Sequence, residues 1–402
     1  MPPNDEMPQS SADPPGLYLH VPFCRTKCPY CGFYSTTDTT LISPWLEALA
    51  EEISLLRDGE KALKKSGQGP GVRDQGSLWP PHPFDTLYLD GGTPSLLPDR
   101  ELTAIFDLIQ RHFRFTGAAE VTLEANPDDV TPEKLLLWRA LGVNRLSLGV
   151  QTLSEAELRF LGRRHSAGQA REALATARKA GYDNLGIDLM YALPGQTEAG
   201  WLATLDEILA FQPEHLSCYQ LSIEAGTPLA KLSACNKMKP VDEDRQRALF
   251  LQTSEYLESH GYIHYEISNF ARGEAYAARH NSKYWRHTPY LGLGPAAHSF
   301  NGRERRWNLA GVKEYCEALA QGGMPVAGRE VLTQEQLRLE ILCLGFRTRQ
   351  GVSLQALKPF PQAVRTLAQY CQAGLLVVEQ GRARPTRQGF LVADSLSLML
   401  SE

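Results

Sequence analysis

No run of apolar residues in this 402-residue chain reaches the length that crosses a bilayer, so the sequence offers no helical membrane span. Neither GxGxxG nor GxxxxGKS occurs, which removes the two common glycine-rich phosphate cradles. Positive charge is not in surplus: 41 Lys and Arg against 46 Asp and Glu leave a net −5. A chain so balanced is not built to hold nucleic acid by its phosphates. Cysteine is sparse as well. Eight thiols are too few for a disulfide scaffold and fit a reducing cytoplasm. Residues 1–16 carry three acidic groups and five prolines but no basic start and no apolar core. They are expected to be a disordered tail, not a signal peptide.

What is present is a soluble α/β pattern, 43% hydrophobic, in a chain long enough for one domain of barrel size and a smaller one. Strand-like runs recur at Leu17–Val21, Phe84–Asp90, Glu120–Ala125, Arg145–Gln151, Leu185–Tyr191 and His215–Leu221. Helical patterns fill the gaps. Trp45, Leu46, Leu49, Ile53 and Leu56 share a face, Thr131-Pro132 and Thr197 open helices, and Ser154…Glu157 and Ser166…Gln169 read as capping boxes. Six β–α units in a row predict an incomplete (β/α)6 TIM-like barrel, open on one side, over residues 17–222. The Gly-, Lys- and Pro-rich stretch 58–83 is expected to be a mobile insertion. Residues 223–330 form an extension. In it Val241–His260 reads as a helix, Tyr265–Phe270 as a strand, and 279–300 as a loop-rich aromatic segment. Residues 331–402 have a helix opened by Thr333…Gln336, a second helix from Gln362 to Gly374, a hairpin around Gln380-Gly381-Arg382, and a last helix. This is a winged-helix-like α+β region, and the overall acidity favours docking over DNA binding.

The chain is organised around Cys24-Arg-Thr-Lys-Cys28-Pro-Tyr-Cys31, a CxxxCxxC loop between the first strand and the first helix. Three thiolates leave a fourth corner of a cubane cluster, or of a tetrahedral metal, without a ligand from this loop. In parallel β/α folds chemistry gathers at the carboxyl ends of the strands. There the sequence places the cysteines, Asp90-Gly91-Gly92-Thr93-Pro94, Glu124-Ala-Asn-Pro127, Gly149-Val-Gln151, and Asp188. Glycines allow close backbone approach, and carboxylates take an ammonium group or ribose hydroxyls. The set suits a polar, zwitterionic small molecule beside the cysteines.

CxxxCxxC followed by Gly91-Gly92-Thr93-Pro94 resembles the radical S-adenosylmethionine superfamily. Tyr18-Leu-His-Val-Pro-Phe-Cys24, Arg145-Leu-Ser-Leu-Gly-Val-Gln151, Asp188-Leu-Met-Tyr-Ala-Leu-Pro-Gly-Gln196, Tyr265-Glu-Ile-Ser-Asn-Phe270 and His280-Asn-Ser-Lys-Tyr-Trp285 are similar to its coproporphyrinogen-dehydrogenase-like group. Within that group Phe33 stands where the dehydrogenases have a fourth cysteine, and the long N-terminal extension of those enzymes is missing. Both features resemble the haem-chaperone (HemW) branch. The resemblance implies a 4Fe–4S cluster on Cys24, Cys28 and Cys31, with S-adenosylmethionine on its open iron. It implies cofactor contacts from Tyr18, Tyr30, Gly91, Gly92, Thr93, Glu124, Gln151, Arg163 (or its neighbour Arg164) and Asp188. It also implies haem iron on His280 of the HNxxYW motif, with His298 as second candidate, and haem delivery to acceptor haemoproteins, respiratory ones among them. The alternative is an oxygen-independent coproporphyrinogen III dehydrogenase. A cytoplasmic protein without nucleic-acid partners is expected; peripheral membrane contact and a homodimer are compatible with this. The usual GGGTP reads Asp90-Gly91-Gly92 here, and GPGAHS reads Gly294-Pro-Ala296-Ala297-His298-Ser299.

Overall fold

Six parallel strands lie side by side in chain order: β1 (Gly16–Val21), β2 (Phe84–Gly91), β3 (Phe115–Ala125), β4 (Arg145–Gln151), β5 (Leu185–Tyr191) and β6 (His215–Gln220). The structure is a computed structural model that describes residues 13–65, 82–360 and 362–400. Between the strands run α1 (Ile42–Lys65), α2 (Asp99–His112), α3 (Pro132–Ala140), α4 (Glu155–Phe160) with α5 (Ala167–Lys179), and α6 (Glu198–Leu209). Fully buried parallel strands usually read as continuous apolar runs; these alternate. Leu17, Leu19 and Val21, Leu87 and Leu89, Leu146, Leu148 and Val150, and Ile187 and Leu189 point outward into one core with Trp45, Trp138 and Trp201. The other face is polar, and that polarity builds the site.

Helix starts follow their caps. Thr131 accepts from the Lys134 N–H, Thr197 from Gly200, and Ser166 with Gln169 makes a reciprocal box. The expected box at Ser154 is only half formed. Ser154 takes the Glu157 N–H, but the Glu157 carboxylate accepts from the Thr152 hydroxyl and from Gln196 instead. Helix α1 continues to Lys65, into the span expected to be an insertion; residues 66–81 lie outside the described residues. Of the expected tail, 1–12 also lie outside them. Residues 13–16 belong to the fold, because the Pro14 carbonyl accepts from Lys283 (2.6 Å) and the Pro15 carbonyl from the Asp85 N–H (3.2 Å).

Residues 223–330 extend the same sheet at both edges. After α7 (Pro228–Ala234) and α8 (Glu243–Ser259) come β7 (Ile263–Glu266) and β8 (Asn269–Ala271), so the expected strand Tyr265–Phe270 is the turn of a hairpin whose second arm pairs antiparallel with β6. The expected loop-rich segment is ordered as α9 (Arg279–Trp285), β9 (Tyr290–Leu293) and β10 (His298–Phe300). Strand β9 pairs parallel to β1 and is a seventh parallel strand; β10, β11 (Glu304–Asn308) and β12 (Val326–Val331) follow antiparallel, with α10 (Val312–Ala320) between the last two. The sheet order is β12-β11-β10-β9-β1-β2-β3-β4-β5-β6-β8-β7.

The C-terminal module has α11 (Gln334–Gly345), β13 (Val352–Ser353), α12 (Leu354–Leu357), α13 (Ala363–Gln372), β14 (Leu376–Glu379), β15 (Arg382–Pro385), α14 (Arg387–Phe390) and α15 (Ala393–Leu400). Its own sheet runs β13-β15-β14 over a separate core of Leu342, Phe346, Val352, Leu357, Leu376 and Leu396. Among the described residues no helix is long and apolar enough to cross a membrane.

Candidate cofactor site

Strand β1 delivers the cysteine loop to the carboxyl end of the barrel. The loop is pinned by Cys24 N–H to the Thr36 carbonyl (3.0 Å), Thr36 N–H to the Pro22 carbonyl (2.7 Å), and Phe23 edge-on against Trp45 (5.4 Å between rings). Cys24, Cys28 and Cys31 are all free thiols and partly exposed. The Thr93 hydroxyl donates to Cys24 Sγ (3.5 Å), and Arg163 Nη1 donates to Cys28 Sγ (3.6 Å). Tyr30, whose burial keeps its phenol protonated, also hydrogen-bonds Cys28. Burial pushes the Cys31 thiol up, and the two neighbouring cysteines add to this. Among the described residues no three His, Cys, Asp or Glu side chains converge on a point that one ion could fill. Three thiolates on one loop suit a cubane, where each ligates a different iron.

The glycines after β2 are required by their neighbours. Gly91 has φ +109°, and a Cβ there would stand 2.5 Å from the His20 ring. A Cβ at Gly92 would stand 2.6 Å from the Phe23 carbonyl oxygen. The loop therefore lies flush on the cysteine loop. His20 is fixed in turn. The Tyr34 carbonyl can only accept, so His20 Nε2 donates to it (3.1 Å) and Nδ1 accepts from the Tyr18 hydroxyl (3.1 Å). Burial lowers the His20 pKa, in keeping with this neutral tautomer.

The polar strand face supplies the rest. Glu124 on β3 accepts from the Tyr88 hydroxyl (2.7 Å) and hydrogen-bonds Asp90 on β2. Its carboxyl is pushed well up by burial, then by the negative charges of Asp90 and Asp188. Asp188 on β5 is raised to about 6, chiefly by burial, against the pull of Ser217, Arg145 and Ser147. Arg163 donates to the Gly149 carbonyl (2.8 Å) and to Asn126. Arg164 instead pairs with Asp128, so of the two arginines Arg163 is the one at the site. Gln151 ends β4 with φ +67°, a left-handed turn uncommon outside glycine that re-aims its side chain. A Cβ at Gly149 would stand 3.1 Å from the Gln151 amide nitrogen and 3.2 Å from Arg163.

His280 is elsewhere. Helix α9 plugs the amino end of the barrel and sends His280 into its interior, fully buried. Nδ1 meets the Thr86 hydroxyl (2.8 Å), Nε2 meets the Tyr284 hydroxyl (2.9 Å), and the ring lies against Tyr18 and Tyr88. Burial, then Lys283 and Arg145, lower its pKa to about 3. Both ring nitrogens are engaged, so in this conformation His280 has no lone pair to offer a haem iron.

Sequence reasoning singled out strand ends and missed the residues beneath them: Tyr88, Arg145, Ser147 and Asn126. The signal was there in the period-2 alternation. Tyr18/His20, Tyr88/Asp90, Thr122/Glu124, Arg145/Ser147 and Gly186/Asp188 all fall on the inward side of their strands.

The chain matches the Radical SAM superfamily over residues 18–208 and the HemN C-terminal domain over residues 332–392. It is 36% identical to the Heme chaperone HemW of Mycobacterium tuberculosis, over 95% of this chain and 94% of that protein. It is 31% identical to the Heme chaperone HemW of Bacillus subtilis, over 94% of this chain and 97% of that one. The mitochondrial Radical S-adenosyl methionine domain-containing protein 1 of Bos taurus is 32% identical over 98% of this chain and 89% of its own length. Among solved structures, coproporphyrinogen III oxidase (HemN) from Escherichia coli superposes with a TM-score of 0.77 at 23% identity, covering 96% of this chain and 90% of that one, a likeness of fold. On the near-complete matches at 31–36% identity, this chain belongs to the HemW family of radical SAM proteins.

Proposed function

We propose that this protein is a haem chaperone: it binds haem, carries a 4Fe–4S cluster and S-adenosylmethionine, and passes haem to acceptor haemoproteins. The observation that carries this is the near-full-length match to proteins named Heme chaperone HemW. Phe33, standing where the dehydrogenases have a further cysteine, supports it against the dehydrogenase alternative. Cys24, Cys28 and Cys31 would hold the cluster, and Thr93 and Arg163, already donating to Cys24 and Cys28, would stabilise sulfur charge. A reduced cluster supplies an electron to the bound cofactor. Gly91 and Gly92 would let the backbone close on the methionine portion. Glu124, Asp188 and Gln151 would hold the cationic and hydroxyl groups, with Tyr18 and Tyr30 packing beside them. Eight unpaired thiols support a cytoplasmic setting. Peripheral membrane contact and self-association are compatible with respiratory acceptors.

The test is a haem titration of anaerobically reconstituted protein, followed at the Soret band, then transfer to an apo-haemoprotein. Saturable binding and transfer are expected. Conversion of coproporphyrinogen III with deoxyadenosine released in step would overturn the reading in favour of the dehydrogenase.

A further inference from the structure

The residue before Gly91-Gly92 is Asp90, where the usual GGGTP has a further glycine. The pleat decides where its side chain goes. Asp90 stands two positions after Tyr88 and shares its inward side. The register sets it opposite His20 of β1, and one step beyond the Leu89–Leu123 pair it stands abreast of Glu124 of β3. A glycine would leave this row with one carboxyl. Asp90 gives it two.

His20 does not serve Asp90, because the Tyr18 hydroxyl and the Tyr34 carbonyl occupy its two ring nitrogens. Asp90 hydrogen-bonds Glu124 instead, and Glu124 Oε1 also accepts from the Tyr88 hydroxyl (2.7 Å). Two ionised carboxylates are acceptors only, so a hydrogen bond between them needs a proton held by the pair. The groups facing the pair do not replace that proton. Tyr18 and His20 on β1, Tyr88 on β2, Tyr219 on β6 and Tyr284 of α9 are neutral at pH 7, and Asp188 on β5 adds negative charge. Arg145 of β4 pairs in register with Thr122, one inward row below Glu124, and Arg163 is engaged by Cys28, Asn126 and the Gly149 carbonyl. Asp90 and Glu124 are each only half-buried, so a ligand reaches them.

We propose that Asp90 and Glu124 hold one proton between them in the empty pocket and surrender it to the α-ammonium of S-adenosylmethionine, so that Asp90 makes cofactor binding proton-linked in this chain. This rests on the cofactor reading above. The ammonium is the group placed here because Asp90 runs directly into Gly91-Gly92, the backbone that would close on the methionine portion. One ammonium enters, one proton leaves to solvent, and N–H donors replace the shared O–H between two carboxylates. Without Asp90, Glu124 loses the neighbour that traps the proton.

The test uses the full chain with its cluster reconstituted. Calorimetric titration with S-adenosylmethionine at pH 7, in two buffers of different ionisation enthalpy, counts the protons released. At that pH Asp188, raised to about 6, is mostly ionised, and an α-ammonium, which titrates at about 8, is mostly intact, so neither supplies the count. Wild type is expected to release about one proton and to bind up to about tenfold more tightly at pH 7 than at pH 6. Asp90→Asn keeps the shape and removes the acid; Asp90→Gly restores the usual loop. Both are expected to release less than about half as much and to lose most of the pH dependence. A side chain with a merely structural role would not move the proton count. S-adenosylhomocysteine, with the same α-ammonium and no sulfonium, should release the same proton, and 5′-methylthioadenosine, with neither, should release none. Cluster content reports that the variants are folded. No release by wild type, an undiminished count in the two variants, no release with S-adenosylhomocysteine, or a full proton released by 5′-methylthioadenosine would each overturn the proposal and leave the cofactor reading intact. Failure of the wild-type protein to bind S-adenosylmethionine would overturn both.

Discussion

Asp90, Glu124 and Asp188 bring three carboxyl groups from β2, β3 and β5 to one pocket whose nearest fixed cations, Arg145 and Arg163, have other partners or lie deeper. Such a pocket is costly to ionise when empty and relieved by a cationic ligand. Asp188 makes this measurable. Its carboxyl is raised to about 6 in the fold, against about 4 in an unfolded chain. Below pH 4 both states hold the proton and the contribution is intact. As pH rises through 6 the folded state must give up a proton it prefers to keep, and that stability is lost. Asp188→Asn cannot ionise. Without S-adenosylmethionine it should therefore melt about 2–4 °C above wild type at pH 8, with the gain shrinking towards pH 5. With the cofactor present the order should reverse at pH 8, because only wild type offers a carboxylate to the ligand. Thermal unfolding at both pH values decides it; a gain independent of pH would mean that Asp188 is neutral for another reason.

At the scale of elements, one residue of α1 ties the wing (β10–β12 with α10) to the barrel beside the pairing of β9 with β1. Glu52 is fully buried and accepts from the Gly294 N–H (2.9 Å), Asn308 Nδ2 (2.6 Å) and the Tyr315 hydroxyl (2.6 Å). It thus clamps the β9–β10 loop, β11 and α10 together. Burial pushes its carboxyl up, and the three donors hold it down. Glu52→Ala leaves the Gly294 N–H and the Tyr315 hydroxyl unpaired in the core, and Asn308 Nδ2 with the Gly294 carbonyl alone (2.9 Å), and should cost about 3–5 kcal/mol, while Glu52→Gln, which keeps one acceptor oxygen, should cost less. Urea denaturation measures both; a loss below about 0.5 kcal/mol for the alanine variant would show that water replaces the carboxylate. This element-level tie was not legible in the sequence, and the reason is general. β4 and β5 could be read to their end residues because local alternation and flanking turns define them. β9 is four residues long and finds its partner, β1, across some 270 positions of chain, so nothing local marks it. Helix α9 has seven residues and no side-chain cap. His280 was legible as a residue type able to bind iron; its burial depends on Thr86, 194 residues away. The cysteines, glycines and carboxylates were legible because each closes a strand whose position the alternation had already set.

Among the described residues three apolar clusters are separate: a large one, one in the C-terminal module, and a small one of Leu161, Met190, Leu193, Leu221, Leu229 and Met238. The large core spans barrel and wing; the module's core, around Phe346 and Leu376, meets it at a polar seam. Across the seam Arg347 meets Glu266 (3.4 Å), Arg305 forks onto Glu340, and Arg387 pairs with Glu258 and donates to Ser254 (3.0 Å). Backbone bonds add to these, from Ile267 N–H to the Arg347 carbonyl (3.1 Å) and from Arg349 N–H to the Tyr265 carbonyl (2.9 Å). The module also sends Phe390 of α14 into the large core, against His264 (4.8 Å between rings), but apart from that anchor the seam is held by ion pairs a quarter or more exposed on at least one side, weak next to a fully shared apolar core. The module should therefore open locally before the barrel unfolds. Removing two of the pairs with Glu340→Ala and Arg387→Ala should cost roughly 1 kcal/mol and speed hydrogen exchange across 342–396 about fivefold. Amides of β1–β6 should exchange as in wild type, and cluster content should hold. If the barrel amides accelerate by the same factor, module and barrel unfold as one cooperative unit, and the second core is an extension of the first.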